Sequence, residues 1–433
     1  MTTIALSAPR RLRGTIAVPG DKSISHRAVI FNAVADGSAE VANFLPGADC
    51  LSTIACVQAL GVEVRREGTA VRVRGVGLRG LLEPADVLDC GNSGTTLRLL
   101  AGLLAGAPLF AVLTGDASLR SRPQRRIVAP LRALGAQIDG REGGDRAPLA
   151  IRGAALRGGN YDLPVASAQV KSALLLAALG GEGPLTLGGK IASRDHTERM
   201  LAAMGAAIAA APEQITLHPT SLLEPLSLRV PGDPSSAAFW WVAAAIHPDA
   251  ELTTTGVCLN PTRTGALDVL RAMGAQIEIA NEREVGSEPV GDVTVRSSAL
   301  RGTTIGGELI PRLIDEIPVL AIAAACASGE TLVRDAQELR AKETDRIATV
   351  AAGLRALGVE VEPTADGMGI VGLGRPALRG AALPSHGDHR LAMAWAVASL
   401  VAAGETRIAD PACADVSYPG FWETLAKLEA PGA

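Results

Sequence analysis

The 433 residues are 48% hydrophobic and 20% charged, with a formal net charge of −4, a globular composition long enough for two or three cores. That near-neutral balance removes the electrostatic footprint of a nucleic-acid or membrane-surface binder, and at 3% aromatic residues base-stacking platforms are scarce. The six cysteines, Cys50, Cys56, Cys90, Cys258, Cys326 and Cys413, form no CxxC pair and no Cys/His metal spacing, so reduced, mostly buried thiols of a cytoplasmic protein are expected. The start, MTTIALSAPRRLRG, lacks the apolar stretch of a secretory signal, and apolar runs such as LAMAWAVASLVAAG fit buried helices better than bilayer spans.

In chain order, a polar start followed by an Ala/Leu-rich helix, a Gly and a β-branched stretch is predicted six times. It opens at GDKSISHRAVIFNAVADGSAEV and GNSGTTLRLLAGLLAGAPLFAV, and returns at ASAQVKSALLLAALGGEGPLTL, GDPSSAAFWWVAAAIHPDAEL, IDEIPVLAIAAACASGETLV and GDHRLAMAWAVASLVAAGETRI. Between these lie QALGVEV (58–64), RALGAQI (132–138), AAMGAAI (202–208), RAMGAQI (271–277) and RALGVEV (355–361). In each, the Gly suits a left-handed helix end and the alternation after it suits a strand. YPGFWETLAKLEA reads as a last helix of this second kind, cut off by the chain end. A recurrence of roughly 70 residues marks a repeated unit with two helices and strands between, of βαβαββ type. Six such units grouped three and three give two domains, with the switch near VPGDPSS (230–236), because one core rarely exceeds about 250 residues.

Chemistry-bearing side chains gather at the starts of the first kind of helix: Lys22, Ser23 and Arg27; Asn92, Ser93, Gly94, Thr95 and Thr96; Ser167, Gln169 and Lys171; Asp315 and Glu316; His386, Asp388, His389 and Arg390. Unpaired N–H groups and the positive end of the helix dipole bind anions there. Ser, Thr, Asn and Asp at such positions are usually only caps, which accounts for Asp233 and Ser235. Lys22, Arg27 and Arg390 oppose the dipole, and a bound anion would explain them. DASLRSRPQRR adds Arg120, Arg122, Arg125 and Arg126 in a Pro-marked turn, and ELRAKETDRI adds Arg340, Lys342, Glu343, Asp345 and Arg346. Lys342 and Arg346 are like charges at an i,i+4 spacing, which favours an anion site over a solvated stripe. No Walker motif, GxSxG elbow or HExxH helix is present. His386 and His389 lack a third ligand at a helpful spacing, so no metal is expected, and His26 on an apolar helix reads as a core or cap residue.

The segments GDKSISHRA, GNSGTTLR, SAQVKSALLLAAL, RDHTERML, DEIPVLA, LRAKETDRI and GDHRLAMA, in this order and across almost the whole chain, resemble the motifs of the 5-enolpyruvylshikimate-3-phosphate synthase family. The resemblance implies an α/β fold of two similar domains, each of three βαβαββ repeats (an inside-out α/β barrel), with the active site in the interdomain cleft. The expected domains are 1–17 with 235–433, and an inserted 18–234. The first strand then belongs with the C-terminal half. The implied reaction moves the enolpyruvyl group of phosphoenolpyruvate to the 5-hydroxyl of shikimate 3-phosphate, with release of phosphate, in the shikimate pathway to chorismate and the aromatic amino acids.

By the same resemblance, Lys22, Ser23, Arg27, Ser167, Ala168, Gln169, Ser193, Asp315 and Lys342 hold shikimate 3-phosphate. Lys22, Gly94, Arg122, Gln169, Arg346 and Arg390 hold phosphoenolpyruvate. Lys22, Asp315, Glu343 and His389 are the candidates for proton transfer, Asp315 being the best base, and the arginines stabilise charge moving onto the departing phosphate. No cofactor and no metal are implied, and the protein is expected to be a cytoplasmic monomer binding only these small molecules, neither nucleic acid nor membrane. Ala168 stands where many members carry a second phosphate-binding serine, leaving only its backbone N–H. SAQVK resembles the glyphosate-tolerant subgroup while Gly94 is retained, which together imply weak to moderate tolerance. Val416 occupies the place where some members put a substrate-binding lysine. The rival reading, UDP-N-acetylglucosamine enolpyruvyl transferase, calls for a cysteine in the loop aligned with TGDASLRSRP, which has none.

Overall fold

The glycine of each ALG-type motif is the clearest link from sequence to architecture. Gly61, Gly135, Gly205, Gly274 and Gly358 all have φ between +82° and +101°, a conformation that any Cβ would strain. Each ends a helix and turns the chain into a strand. The computed structural model describes residues 2–374 and 378–429. By its internal contacts the chain divides into two compact units. Met1–Pro19, Pro231–Glu284 and Pro289–Ala433 form a split unit; Gly20–Val230 and Val285–Glu288 form an inserted unit.

Both units are built from one repeat, strand–helix–strand–helix–strand–strand. The second repeat shows it plainly. Leu88–Asp89 runs parallel to Phe110–Thr114, which is antiparallel to Arg146–Arg152, which is antiparallel in turn to Gln137–Gly140. The same strand order gives five four-stranded sheets and one three-stranded sheet among the described residues. Three repeats are completed by distant segments. The first strand of repeat one is Leu228–Arg229, parallel to Ser38–Ala42. Leu12–Ala17 instead runs parallel to Ala250–Cys258 in repeat four, so the N-terminal strand does belong with the C-terminal half. Repeat six, whose last helix is Phe421–Glu429, is closed by Thr3–Leu6 antiparallel to Thr406–Ala409.

The first helix of each repeat is central and wrapped by the sheets. Lys22–Ala33, Gly94–Ala105 and Ala168–Ala178 serve the inserted unit; Pro234–Ile246, Ile317–Cys326 and His389–Ser399 serve the split unit. Every residue of Pro234–Ile246 and of Ile317–Cys326 is buried, as expected of helices apolar on all sides. Burial of each large aliphatic or aromatic side chain contributes about 1.5–3 kcal/mol. Helices this close need small contacts: a Cβ on Gly102 would lie 2.2 Å from the Ala173 carbonyl oxygen of the neighbouring helix, so Gly102→Ala forces the two apart. The scarce aromatics concentrate in the split unit, where Trp240 stacks on Phe421 at 5.1 Å and donates from Nε1 to the Tyr418 hydroxyl at 3.0 Å. Among the described residues, no helix is long and apolar enough to cross a membrane. Five cysteines are buried and Cys413 is half-buried, and none of them is joined in a disulfide.

Candidate functional site

The six central helices begin where the sequence gathers its polar residues, and the structure separates caps from other roles. Asp21, Ser93, Asp233 and Asp388 accept from the backbone N–H of Ile24, Thr96, Ser235 and Arg390 respectively, so they are caps. Ser167 and Glu316 stand at the same position and cap nothing. Their side chains are free of the commonest structural role for polar residues at a helix start.

In the inserted unit, the first turns of three helices form one cluster. Lys22, the first residue of its helix, pairs with Asp49, so its charge at the positive helix end is partly offset by a carboxylate of the protein. Arg27 is buried and donates to the Thr197 hydroxyl at 2.8 Å, the Ser172 hydroxyl at 2.7 Å and the Ser23 carbonyl at 3.0 Å. Arg122 ends the short helix Ala117–Ser121 and is held by Asn92 and by the Ser118 hydroxyl at 3.1 Å. Gly94 opens the second central helix beside Arg122: a Cβ there would lie 3.7 Å from Arg122 Nη1. Gln169 donates from Nε2 to the Thr95 hydroxyl at 3.0 Å. Ala168 and Gln169 are half-buried. Ser193 is buried in a loop whose carbonyls at 191 and 193 accept from Lys171 Nζ, each at 3.3 Å. Lys171 is thus not an anion ligand; it is buried and paired with Glu198 at 2.6 Å.

His26 lies within this cluster as a core residue. Its Nδ1 meets the Thr53 hydroxyl at 2.7 Å. Burial first, then the Lys22 and Arg27 charges, push the imidazole well below its ordinary value, so it is neutral at neutral pH.

In the split unit a second cluster forms around Asp315. Lys342 Nζ donates to Asp315 Oδ1 at 3.1 Å, and Arg346 Nη1 approaches the same oxygen at 3.5 Å. Arg390 Nη1 donates to the Asp315 carbonyl at 2.9 Å and stands 3.6 Å from Glu316 Oε1. Arg346 Nη2 donates to Glu343 Oε2 at 2.7 Å. Burial opposes the Arg346 charge, but Asp388, Glu343 and Asp315 outweigh it and hold the guanidinium well above its ordinary value. Burial likewise opposes the Asp388 charge, and Arg346 outweighs it to hold that carboxyl below its ordinary value. His389 is buried at the first position of its helix, whereas His386 is exposed in a left-handed turn.

The i,i+4 argument for Lys342 and Arg346 is corrected here. Lys342 ends the short 3-10 helix Gln337–Ala341, and Arg346 starts a separate α-helix capped by Asp345, so the two never share a helix face. Their juxtaposition comes from Asp315 instead. Val416 lies in the 3-10 helix Pro411–Val416.

Several residues of these clusters escaped sequence reasoning. Arg98 lies one turn beyond Gly94 and donates to Gln169; Arg263 donates to Asp233 Oδ1 at 2.8 Å and the Ser235 hydroxyl at 3.0 Å. Arg98 lies beyond the first turn of its helix and Arg263 in the turn before Gly265–Ala272, so neither stands at a polar helix start. Among the described residues, no group of three or more His, Cys, Asp or Glu is placed to hold a metal ion. A cavity of about 920 Å³ in the inserted unit, lined by Arg79, Gly106 and Gly181 among others, contains none of the candidate residues.

The arrangement offers two groups of cations with hydroxyls, and carboxylates beside some of the cations: a setting for polyanionic ligands and for proton transfer. The sequence profile described as EPSP synthase (3-phosphoshikimate 1-carboxyvinyltransferase) matches residues 6–425. A 3-phosphoshikimate 1-carboxyvinyltransferase of Chloroflexus aggregans is 73% identical over 434 residues, covering 99% of each chain. The protein of that name from Gloeobacter violaceus is 57% identical and covers 98% of each. Among solved structures, an EPSP synthase from Acinetobacter baumannii matches at a TM-score of 0.87 and 42% identity, covering 98% of this chain and 97% of that one. The enolpyruvyl transferase NikO from Streptomyces tendae shares the fold at a TM-score of 0.80 and 20% identity, with 99% and 97% covered.

Proposed function

The chain belongs to the EPSP synthase family, and from that premise we propose how its residues divide the work of a 3-phosphoshikimate 1-carboxyvinyltransferase. The enzyme transfers the enolpyruvyl group of phosphoenolpyruvate to shikimate 3-phosphate in the shikimate pathway. A proton adds to the methylene carbon of phosphoenolpyruvate while the 5-hydroxyl of shikimate 3-phosphate loses its proton and attacks C2. The tetrahedral intermediate then loses a proton from the new methyl group and expels phosphate, restoring the double bond.

In this reading Lys22, Ser23, Arg27, Ser167, Gln169, Ser193, Asp315 and Lys342 hold shikimate 3-phosphate, with the Ala168 backbone N–H in place of a serine hydroxyl. Lys22, Gly94, Arg122, Gln169, Arg346 and Arg390 hold phosphoenolpyruvate. Asp315 is the base toward the 5-hydroxyl, with Lys22, Glu343 and His389 sharing the remaining transfers. The observation that supports this most directly is Asp315 Oδ1 between Lys342 at 3.1 Å and Arg346 at 3.5 Å, which sets a carboxylate among the cations proposed to hold the two anionic substrates. Arginine forks suit the carboxylate and phosphate of phosphoenolpyruvate, and fixed donors stabilise charge as it moves onto the leaving phosphate.

The two domains of the family fold are proposed as 1–17 with 235–433 and 18–234; the contact-defined units change over instead at Pro19 and Pro231, and Val285–Glu288 groups with the inserted unit. The protein is further proposed to be a cytoplasmic monomer that engages neither nucleic acid nor membrane. Glyphosate is proposed to compete with phosphoenolpyruvate, with weak to moderate tolerance; complete inhibition at low micromolar glyphosate would argue against that tolerance.

The deciding experiment is phosphate release by the purified protein with phosphoenolpyruvate, offered shikimate 3-phosphate or UDP-N-acetylglucosamine. Release with the first alone is expected. Release with the second alone would overturn the reading in favour of the rival transferase.

A further inference from the structure

Arg98 is placed to govern three candidate residues at once. It lies one turn into the helix Gly94–Ala105 and is 5% exposed. Its Nη1 donates to Gln169 Oε1 at 2.6 Å, and its Nε donates to Gln124 Oε1 at 3.1 Å. Gln124 is fully buried, and its Nε2 donates to the Arg122 carbonyl at 3.2 Å. A Cβ built on Gly94 would come within 2.9 Å of Arg98 Nη1 and 3.4 Å of its Cζ. One guanidinium therefore touches the side chain of Gln169, reaches the backbone of Arg122 through one glutamine, and occupies the space beside Gly94.

The consequence for Gln169 is a fixed sign. A carboxamide has an acceptor end and a donor end of nearly equal shape, and only its partners decide which way it faces. Arg98 has donors and no acceptor, so it selects Oε1 and turns Nε2 away from itself. Nε2 gives one hydrogen to the Thr95 hydroxyl at 3.0 Å and keeps a second. A reversed amide would present a carbonyl oxygen to an anion and repel it.

We propose that Arg98 is a positioning residue of the phosphoenolpyruvate site: it orients the Gln169 carboxamide as a donor and steadies Arg122 through Gln124. This rests on the transferase reading above. The site requires no contact between Arg98 and substrate.

The test compares wild type, Arg98→Gln, Arg98→Lys, Gln169→Ala, and the double variant Arg98→Gln/Gln169→Ala, by steady-state kinetics in both substrates together with melting temperature. Arg98→Gln is expected to raise KM for phosphoenolpyruvate about tenfold or more, the size of one lost charge-assisted hydrogen bond, while the melting temperature with saturating shikimate 3-phosphate still rises as in wild type. Arg98→Lys keeps the charge but not the fork, and should recover only part of the loss; it carries the same test if Arg98→Gln does not fold. In the Gln169→Ala background the Arg98 substitution should cost much less than in wild type, because its main route of action is gone. Equal losses in both backgrounds, or an unchanged KM for phosphoenolpyruvate in Arg98→Gln, would overturn the proposal. A wild-type protein without turnover would overturn the transferase reading instead, and the two failures are read from different samples.

Discussion

Arg346 donates from Nε to Asp388 Oδ2 at 2.8 Å and from Nη2 to Asp388 Oδ1 at 3.0 Å, a two-pronged pair in which the arginine is 1% exposed and the aspartate not at all. The same aspartate accepts the Arg390 backbone N–H at 3.0 Å and so caps the helix His389–Ser399. One carboxylate thus fixes two arginines proposed to hold phosphoenolpyruvate, one by its side chain and one by its backbone.

Asp388→Asn keeps the cap but removes the charge. Leaving a buried cation short of a partner costs about 3–5 kcal/mol, and Glu343, which also pairs with Arg346, places the loss at the lower end. The sign with pH follows from the direction of the shift. The folded-state carboxyl is held below 3.8, so its stabilisation is whole above the ordinary aspartate range and is lost as pH falls through the folded value. Urea midpoints measured from neutral pH downward should show the variant deficit shrinking in acid. A deficit that stays constant across the acid range would show that the pair is not its source.

His26 gives a second pH effect in a different window. Its folded-state pKa lies well below 6.5 because the ring is buried and faces Lys22 and Arg27. As pH falls below 6.5 the unfolded chain takes up a proton that the folded one refuses, so stability is whole above 6.5 and declines through the window beneath it. His26→Gln should flatten that decline, and the imidazole carbon-bound protons should show no titration near 6.5 by NMR. A ring that titrates at or above 6.5 would contradict the assignment.

The pair Lys171–Glu198 predicts a separation of the two substrates. Lys171 Nζ binds Glu198 Oε1 at 2.6 Å and also the carbonyls of Ile191 and Ser193. Lys171→Met strands a buried carboxylate, a loss of about 3–5 kcal/mol, and releases the loop that carries Ser193. The expected result is a raised KM for shikimate 3-phosphate with little change for phosphoenolpyruvate, and partial recovery of stability in Lys171→Met/Glu198→Leu. Equal changes in both KM values would assign the pair a general structural role.

These partners explain what could and could not be read from the sequence. The repeat, the left-handed glycines at 61, 135, 205, 274 and 358 and the polar helix starts were legible because each depends on neighbours within a turn or two. The closing strands were not legible from local pattern: Leu228–Arg229 completes a sheet with Ser38–Ala42, far along the chain. Ion pairs were hidden for the same reason. Lys22 meets Asp49, Arg346 meets Asp388, and His196 Nδ1 meets Glu288 Oε1 at 2.6 Å across 92 residues. Lys342 and Arg346 show the opposite failure, since a helical spacing suggested a shared face where the chain breaks into two helices. The partner of Lys22 was hidden too, because a charge conflict at a helix start says nothing about which carboxylate the fold will bring to it.

Asp315 carries the last prediction. Its side chain is 16% exposed, with Lys342 and Arg346 on one oxygen, so removing it leaves two cations facing each other across the space it filled. Asp315→Asn keeps the shape and some hydrogen bonding but cannot accept a proton. General acid–base groups contribute about 10²–10⁴-fold, and a fall of that size in kcat is expected with a melting temperature within a few degrees of wild type. Lys342→Met should act differently, raising KM for shikimate 3-phosphate with a smaller effect on kcat, because its proposed role is to bind substrate and to hold Asp315 in place. If instead Asp315→Asn raised KM while leaving kcat intact, Asp315 would be an anchor for a ring hydroxyl and the proton acceptor would be sought at Glu343 or His389.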